Sequence, residues 1–229
     1  MSLALALADE FNCIGIDNYN HSSKAKISSL KQMAVMYVDL ILAHTSISES
    51  IHLLGWSLGG QLALEISYLL ESRGAKDIKV FLLDSIMNSE SIRRLRKQFD
   101  MSSSLLKMRG VLYAGGITDK NHIERILLAF PFEIEMAQCE QSGKLHYAEV
   151  TLFKAGLVDE SIDKDDDVSC QMSLLTSQLP DNNVTRWVDK PITVTLINDK
   201  NHLNIIESIE EIKMGILNSM VLDDLVTLS

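Results

Sequence analysis

The sequence has few cysteines, and their arrangement excludes two classes of protein. Cys13, Cys139 and Cys170 are the three cysteines in 229 residues. They are widely separated, odd in number and form no CxxC or Cys/His pattern, so we expect neither a disulfide framework nor a structural zinc site. We interpret them as the reduced thiols of a cytoplasmic protein.

Long apolar runs are also absent. No run reaches the roughly 18 to 20 residues that a membrane-spanning helix needs. The apolar opening, residues 1–8, lacks a basic leading region, and Asp9 and Glu10 follow where a signal-peptide cleavage site would lie. We therefore predict a short opening helix and no membrane partner.

Positive charge is scarce. Lys and Arg number 21 against 31 Asp and Glu, which gives a formal net charge of −10. Such a charge repels phosphate groups, so we expect no nucleic-acid partner. One basic cluster, residues 93–97, stands out; we favour a solvated helix face there, with a docking patch for an acidic partner as the alternative.

The composition and the order of the predicted elements indicate one α/β domain over residues 1–229. Hydrophobic residues make up 46% and charged residues 23%, as in globular proteins. Short runs rich in β-branched residues alternate with helical patterns, which predicts a mostly parallel sheet flanked by helices. We predict strands at 12–19, 51–56, 79–83, 147–153 and 192–197, and helices at 28–44, 58–72 and 203–220.

Three local features refine this outline. Ser28 and Ser29 can cap the helix at 28–44, and Gly74 can end the helix at 58–72. Residues from about 88 to 143 have helical periodicity without a convincing strand, which predicts a helical insertion. The acidic segment at about 163–167 is predicted to be a loop.

The strongest chemical signal is a G-x-S-x-G motif at residues 55–59, followed by Gly60. It lies directly after the predicted strand 51–54 and directly before a predicted helix, which is the context that a nucleophilic serine on a strand-to-helix turn requires. Because the turn has strained backbone angles, we expect the flanking positions to need glycine. Ser57 is the candidate nucleophile, and the backbone N–H of Leu58 is the candidate oxyanion donor.

A serine nucleophile needs a histidine base that a carboxylate orients. Of the six histidines, three come before Ser57 and two fall in or near the insertion. Only His202 follows the last predicted strand, which fits the order serine, acid, histidine of this class. Asp84 directly follows the strand 79–83, and Asp159 follows the strand 147–153 less closely. Both fit the order, and we favour Asp84 over Asp159.

These residues carry a resemblance to a known family. Residues 51–65 with the serine motif, residues 80–85, the helical insertion and the late His202 resemble the thioesterase domains that end non-ribosomal peptide and polyketide synthases. The resemblance covers about residues 14–206 and is most specific around Ser57 and Asp84. In that family the acid ends the strand after the nucleophile strand, and the spacing of 27 positions here is typical. The resemblance therefore favours Asp84 as the acid.

The family implies an α/β-hydrolase fold and a function in secondary-metabolite biosynthesis. The expected reaction is release of an acyl, peptidyl or polyketide chain from the phosphopantetheine of a partner carrier domain, through an acyl-enzyme on Ser57. No metal and no cofactor of its own is expected. The insertion at about 88–143 would be a lid over the acyl chain. The apolar lid positions that would face substrate are Leu105, Leu106, Leu112, Ile126, Leu127, Leu128, Phe130 and Phe132.

The sequence departs from the family in one respect. Family members normally begin with a further strand whose loop supplies a second oxyanion donor, and this N-terminal strand is missing before the segment at 12–19. Losing one such donor lowers turnover by about a hundredfold or more, so the activity of this chain stays open. The alternative functions are a stand-alone editing thioesterase, a carboxylesterase, or a non-catalytic binding module of the same fold.

Overall fold

The computed structural model describes residues 3–98, 100–114, 116–158 and 168–226. Its centre is a single sheet of parallel strands in the order β1-β2-β3-β4. The strands are β1 Ile51–Trp56, β2 Ile78–Leu83, β3 Glu149–Ala155 and β4 Thr193–Ile197. Because neighbouring strands are parallel, each connection must cross back over the sheet. The predicted α/β fold with a parallel sheet is confirmed.

Helices occupy most of the connections. They are α1 Leu3–Ala6, α2 Tyr19–Ser22, α3 Leu30–Leu42, α4 Leu58–Ser72, α5 Glu90–Arg96, α6 Met101–Ala114, α7 Lys120–Met136, α8 Val168–Ser177 and α9 Ile209–Val226, with short 3₁₀ turns at Val184–Trp187 and Ile205–Glu207. The predicted insertion holds α5, α6 and α7, and its described residues form no strand. None of the described helices is long and apolar enough to cross a bilayer.

Both faces of the sheet are covered, which explains why β2 is buried along its whole length. Successive strand residues point to opposite faces. Val80 and Leu82 therefore pack with α3 and α4 in the larger core, whereas Phe81 and Leu83 pack with α1 and α9 in the smaller one. The sheet is the middle of three layers, so helices cover its two faces and leave the ends of its strands uncovered.

Several predicted boundaries agree with the structure. The Ser29 side chain accepts a hydrogen bond from the Gln32 N–H and caps α3. Gly74, which follows the C-cap residue Arg73 of α4, has a φ of +105°, a conformation that glycine adopts without steric cost. The four strands at 51–56, 79–83, 147–153 and 192–197 are all present, with ends shifted by no more than two residues.

The predicted strand at 12–19 is wrong. Residues 11–18 have no regular secondary structure, and Ile14 and Ile16 are exposed. A strand needs a neighbour for its backbone groups, and in the described part of the chain β1 pairs only with β2. The segment instead leads into α2, which Asn18 caps.

The closing helix begins later than predicted, and the helices α2 and α8 were not predicted. Residues 203–208 form a turn and a 3₁₀ turn before α9, because the Asn201 side chain accepts hydrogen bonds from the N–H groups of Leu203 and Asn204. Helix α8 lies in the polar stretch between β3 and β4. The loop predicted at about 163–167 lies outside the described residues.

Candidate active site

Ser57 occupies the sharp turn between β1 and α4. Its φ of +55° and ψ of −119° are unusual for a residue with a side chain and mark local strain. The turn is held on both sides: the Ser57 N–H donates to the Leu83 carbonyl at 3.1 Å, and its carbonyl accepts from the Gly60 N–H at 3.1 Å. The serine side chain is thereby fixed at the carboxyl end of the sheet.

The glycines of the motif are not equivalent. A Cβ at Gly55 would overlap the carbonyl group of Gly59 and lie 2.5 Å from the Gly60 nitrogen, and a Cβ at Gly60 would lie 2.5 Å from the Ser85 Cβ. A Cβ at Gly59 would meet nothing within 4 Å. The expectation that both positions flanking Ser57 need glycine is therefore wrong for Gly59. Close packing requires glycine at Gly55 and Gly60.

Asp84 is the first residue after β2 and lies next to Ser57 across the sheet edge. Its φ is +44°, and its N–H donates to the Phe153 carbonyl at 2.8 Å. Its carboxylate is buried and accepts three hydrogen bonds: Oδ1 from the Ala155 N–H at 3.1 Å and the Asn182 amide at 3.2 Å, and Oδ2 from His202 at 2.8 Å.

These contacts decide the charge state of Asp84. Burial alone would raise the pKa of Asp84. The hydrogen bond and charge of His202, with smaller effects from Ala155 and Asn182, outweigh burial and hold the pKa of Asp84 below its ordinary value of 3.8. Asp84 is therefore an anion at neutral pH.

His202 lies in the loop after β4 and joins the other two side chains. Its Nδ1 is 2.8 Å from Asp84 Oδ2, and its Nε2 is 3.0 Å from Ser57 Oγ. A carboxylate only accepts hydrogen bonds, so Nδ1 carries the proton and the Nε2 lone pair faces the serine hydroxyl. The structure thus brings Ser57, Asp84 and His202 into one continuous hydrogen-bonded row.

The remaining predicted site residues are placed as follows. The Leu58 N–H is the first amide of α4, one of the helix positions that have no intrahelical acceptor. It directly follows Ser57, so the N-terminal end of the helix dipole lies at the serine. Asp159, the alternative acid, lies outside the described residues.

Two contacts of the site are not among the sequence predictions. The Trp56 indole N–H donates to the His202 carbonyl at 3.0 Å, and the two rings lie 5.7 Å apart at 31°. Asn182 reaches Asp84 from 98 positions further along the chain. Trp56 could have been suspected from its place beside Ser57, whereas Asn182 has no local signal beyond a polar turn at 181–183.

The helices of the insertion carry apolar residues that differ in how far they are exposed to solvent. Of the predicted substrate-facing positions, Leu127 is buried, whereas Leu106 and Leu128 are 73% and 62% exposed. Helix α7 is tied to α2 by Glu133, whose carboxylate contacts the Asn18 amide at 2.6 Å and His21 at 3.0 Å. The insertion therefore has exposed apolar side chains, and its longest helix, α7, is tied to α2.

The basic cluster at 93–97 is only partly a solvated helix face. Arg93 and Arg94 contact Glu140 and Glu90 at the surface. Arg96 is directed inward and donates to the Asn88 side chain at 2.6 Å and to the Ala137 carbonyl. Burial lowers the pKa of Arg96 to about 10. Arg96 thus joins α5 to the end of α7, which a docking patch would not require.

A serine on a strand-to-helix turn, a carboxylate after the next strand and a histidine after the last strand define the α/β-hydrolase class. The family profile described as "Thioesterase domain" matches residues 1–212. The chain therefore belongs to the thioesterase domain family, and it is a hydrolase. No relative is found among curated protein sequences.

Solved structures share the fold. The NocB thioesterase domain, in covalent complex with a fluorophosphonate nocardicin G analog, is 18% identical, with a TM-score of 0.61 over 90% of this chain and 80% of that chain. The four-domain non-ribosomal peptide synthetase AB3403 is 14% identical, with a TM-score of 0.62 over 95% of this chain and 18% of that chain. The type II thioesterase BorB of the borrelidin cluster is 15% identical, with a TM-score of 0.54 over 84% of this chain and 73% of that chain.

Proposed function

We propose that this chain releases acyl, peptidyl or polyketide chains from the phosphopantetheine arm of a carrier domain in secondary-metabolite biosynthesis. The observation that carries the proposal is the row of contacts from Ser57 Oγ to His202 Nε2, 3.0 Å, and from His202 Nδ1 to Asp84 Oδ2, 2.8 Å. Membership of the thioesterase family supports the thioester as the bond that is cleaved. The nocardicin and synthetase relatives support a carrier-bound substrate.

The proposed reaction has two stages. Ser57 Oγ attacks the thioester carbonyl while His202 Nε2 takes the hydroxyl proton, and Asp84 keeps the imidazole in the required tautomer. The carbonyl oxygen becomes an oxyanion that the Leu58 N–H stabilises. When the intermediate collapses, the C–S bond breaks and His202 returns the proton to the leaving sulfur, which frees the pantetheine thiol.

The acyl-enzyme is then opened by a second nucleophile. Water gives the free acid, and a hydroxyl or amine of the acyl chain itself gives a macrocycle; in both cases His202 takes the proton of the nucleophile and returns it to Ser57. The chain supplies no cofactor in this scheme, since phosphopantetheine arrives on the partner. We place the reaction in the cytoplasm, where the three separated thiols would stay reduced.

Steady-state hydrolysis of acyl-pantetheine thioesters and of matched oxygen esters tests the proposal. Thioester turnover should exceed ester turnover, and Ser57→Ala should lower both to the background rate. Equal or faster turnover of simple esters would favour the carboxylesterase alternative. Ser57→Ala protein that still hydrolyses the thioester, or still reacts with a fluorophosphonate, would refute the assignment of the nucleophile.

The acid is tested by a matched pair of variants. Asp84→Asn keeps the shape of the side chain but no longer holds the correct tautomer, so kcat should fall by about 10⁴-fold. Asp159→Asn should leave kcat within about twofold, because by the proposal Asp84 is the acid that orients the imidazole. The reverse ranking would assign the role to Asp159.

A further inference from the structure

The hydrogen-bonded row does not end at Asp84. Asp84 Oδ1, the oxygen that faces away from His202, accepts from the Asn182 amide at 3.2 Å. The carbonyl oxygen of the same amide accepts from the Lys154 ammonium at 2.7 Å. A continuous path therefore runs from Lys154 through Asn182, Asp84 and His202 to Ser57.

Asn182 is held in place by its own turn. It is fully buried and has a φ of +50°, a left-handed conformation that asparagine tolerates better than most residues. The backbone carbonyl of Asn182 accepts a hydrogen bond from the Met87 N–H at 2.9 Å. The Asp181 carboxylate accepts hydrogen bonds from the N–H groups of Asn183 and Thr185. The turn thus directs the Asn182 side-chain amide at the Asp84 carboxylate and keeps that amide buried from solvent.

Lys154 decides which way that amide faces. It lies near the end of β3, is 8% exposed, and donates both to the Thr176 carbonyl at the end of α8, at 3.0 Å, and to Asn182 Oδ1. An ammonium only donates, so the amide oxygen of Asn182 must face Lys154 and the NH₂ group must face Asp84. With the amide reversed, its oxygen would lie against the Asp84 carboxylate and its NH₂ against the ammonium.

The geometry points to Asn182 and Lys154 as positioning residues for the acid: Lys154 orients the Asn182 amide, and the amide holds the Asp84 carboxylate in line with His202. The inference rests on the function proposed above and extends its site by two side chains. Among the hydrogen bonds of the described residues, none joins either side chain to Ser57 or His202. Both residues therefore act through Asp84 and not on the substrate.

This arrangement predicts a selective kinetic effect. Without Asn182, the Ala155 N–H is the one hydrogen bond from the described residues that Asp84 Oδ1 keeps, and the carboxylate can rotate away from the imidazole. A hydrogen bond to a charged group, if it is lost in the transition state, corresponds to a roughly tenfold to hundredfold fall in kcat. KM should change by less than about twofold, because no contact with substrate is removed.

The neighbouring asparagine provides a matched control. Asn183 lies in the same turn with a φ of +63°, but its side chain donates to the Met87 carbonyl at 3.3 Å and not to Asp84. Glycine accepts both backbone conformations without strain. Asn182→Gly should therefore lower kcat on an acyl-pantetheine thioester tenfold to a hundredfold, whereas Asn183→Gly should leave kcat within about twofold. Equal effects of the two variants, at matched thermal stability, would overturn the inference.

The role of Lys154 is tested by combining variants. Lys154→Met should lower kcat in the wild-type background and have little further effect in Asn182→Gly protein, because residues that act through one contact are not additive. Lys79→Met, which removes a lysine that is 5% exposed near the opposite end of the neighbouring strand, should not lower kcat. Additive effects of Lys154→Met and Asn182→Gly would show that Lys154 does not act through the amide.

The pH profile separates positioning from mere destabilisation. Asn182→Gly should hold the Asp84 carboxylate less firmly, so the acid limb of its pH profile of kcat should shift. Asn182→Asp should not restore the wild-type profile. Asn183→Gly should keep the wild-type profile. An unchanged acid limb in Asn182→Gly would contradict the inference.

Ser57→Ala in the same assay distinguishes failure of the proposed function from failure of the positioning role. Residual turnover in Ser57→Ala refutes the proposed function. An inactive Ser57→Ala together with a fully active Asn182→Gly refutes only the positioning role.

Discussion

The glycines around Ser57 lead to a prediction in which two identical substitutions, four residues apart, have opposite outcomes. In Gly55→Ala the new methyl group would overlap the Gly59 carbonyl and lie 2.5 Å from the Gly60 nitrogen, where ordinary contact begins at 3.4 Å. The obstruction is backbone and cannot rotate away. The first turn of α4 must therefore move by about 1 Å relative to β1, the size of the overlap.

The displacement has two measurable consequences. Overpacking of this kind destabilises by roughly 1 to 3 kcal/mol, which for a chain of this length lowers Tm by about 2 to 12 °C. The same movement carries Ser57 and the Leu58 N–H away from His202, and a misplacement of about 1 Å can lower the rate by about a hundredfold. Gly55→Ala should therefore be both less stable and much slower to react.

Gly59→Ala should behave in the opposite way. A methyl group at Gly59 meets nothing within 4 Å, and the residue lies inside α4, where alanine is favoured over glycine by roughly 0.5 to 1 kcal/mol. Tm should rise by about 1 to 4 °C. The rate of covalent labelling by a fluorophosphonate, measured at a temperature where every variant is folded, should stay within about threefold of wild type, since the turn geometry is kept.

Thermal unfolding followed by circular dichroism, together with the labelling rate, tests both variants side by side. A second substitution that compensates for the first provides a further check at Gly60. Gly60→Ala should be destabilising because its methyl group meets the buried Ser85 side chain, and Ser85→Gly should partly rescue it. If Gly59→Ala were as damaging as Gly55→Ala, or if Gly55→Ala were tolerated, the packing described for this turn would be incorrect.

Two further predictions concern the histidine loop and acid stability. Trp56→Phe removes the N–H donated to the His202 carbonyl and should lower kcat by about threefold to tenfold. The indole nitrogen of Trp187 has no hydrogen-bond partner among the described residues, so Trp187→Phe should not lower kcat. Equal kcat values for the two variants would contradict the role of Trp56. Burial raises the pKa values of Asp84 and Asp181, but their hydrogen bonds outweigh it and hold both below the ordinary 3.8. The native state therefore binds fewer protons than the unfolded chain, and its stability should fall as pH is lowered from about 5 to 2. Denaturant unfolding across that range should show a shallower fall for Asp181→Asn, and an unchanged slope would count against the contribution of Asp181.

The strands and the nucleophile were predictable because their signals are local. Each of the four strands is a short apolar run between turn residues, and the motif around Ser57 contains both the strand end and the helix start within a few positions. Asp84 and His202 required one more step, the rule that parallel strands end at the same edge. The chain order serine, acid, histidine singled out His202. Asp84 and Asp159 both remained candidates under these rules, and the family resemblance favoured Asp84. The structure brings Asp84 and Ser57 to His202 from 118 and 145 positions away in the sequence.

The errors arise where structure depends on distant neighbours. Residues 12–19 have the composition of a strand, but a strand forms only beside another, and β1 pairs on one side alone in the described chain. The late start of α9 follows from side-chain hydrogen bonds of Asn201 that compete with the helix. Asn182 and Lys154 belong to the site through tertiary contacts with no pattern in sequence to indicate them.

The proposed mechanism requires covalent transfer of an acyl group to one oxygen atom, Ser57 Oγ. Intact-protein mass spectrometry after rapid mixing with an acyl-pantetheine thioester, followed by peptide mapping, measures this transfer. We predict a mass increase of one acyl group on the peptide containing Ser57, with one pantetheine thiol released per adduct, and no adduct on Ser57→Ala protein. An adduct on another residue, or thiol release that persists at the wild-type rate in Ser57→Ala, would contradict the central claim.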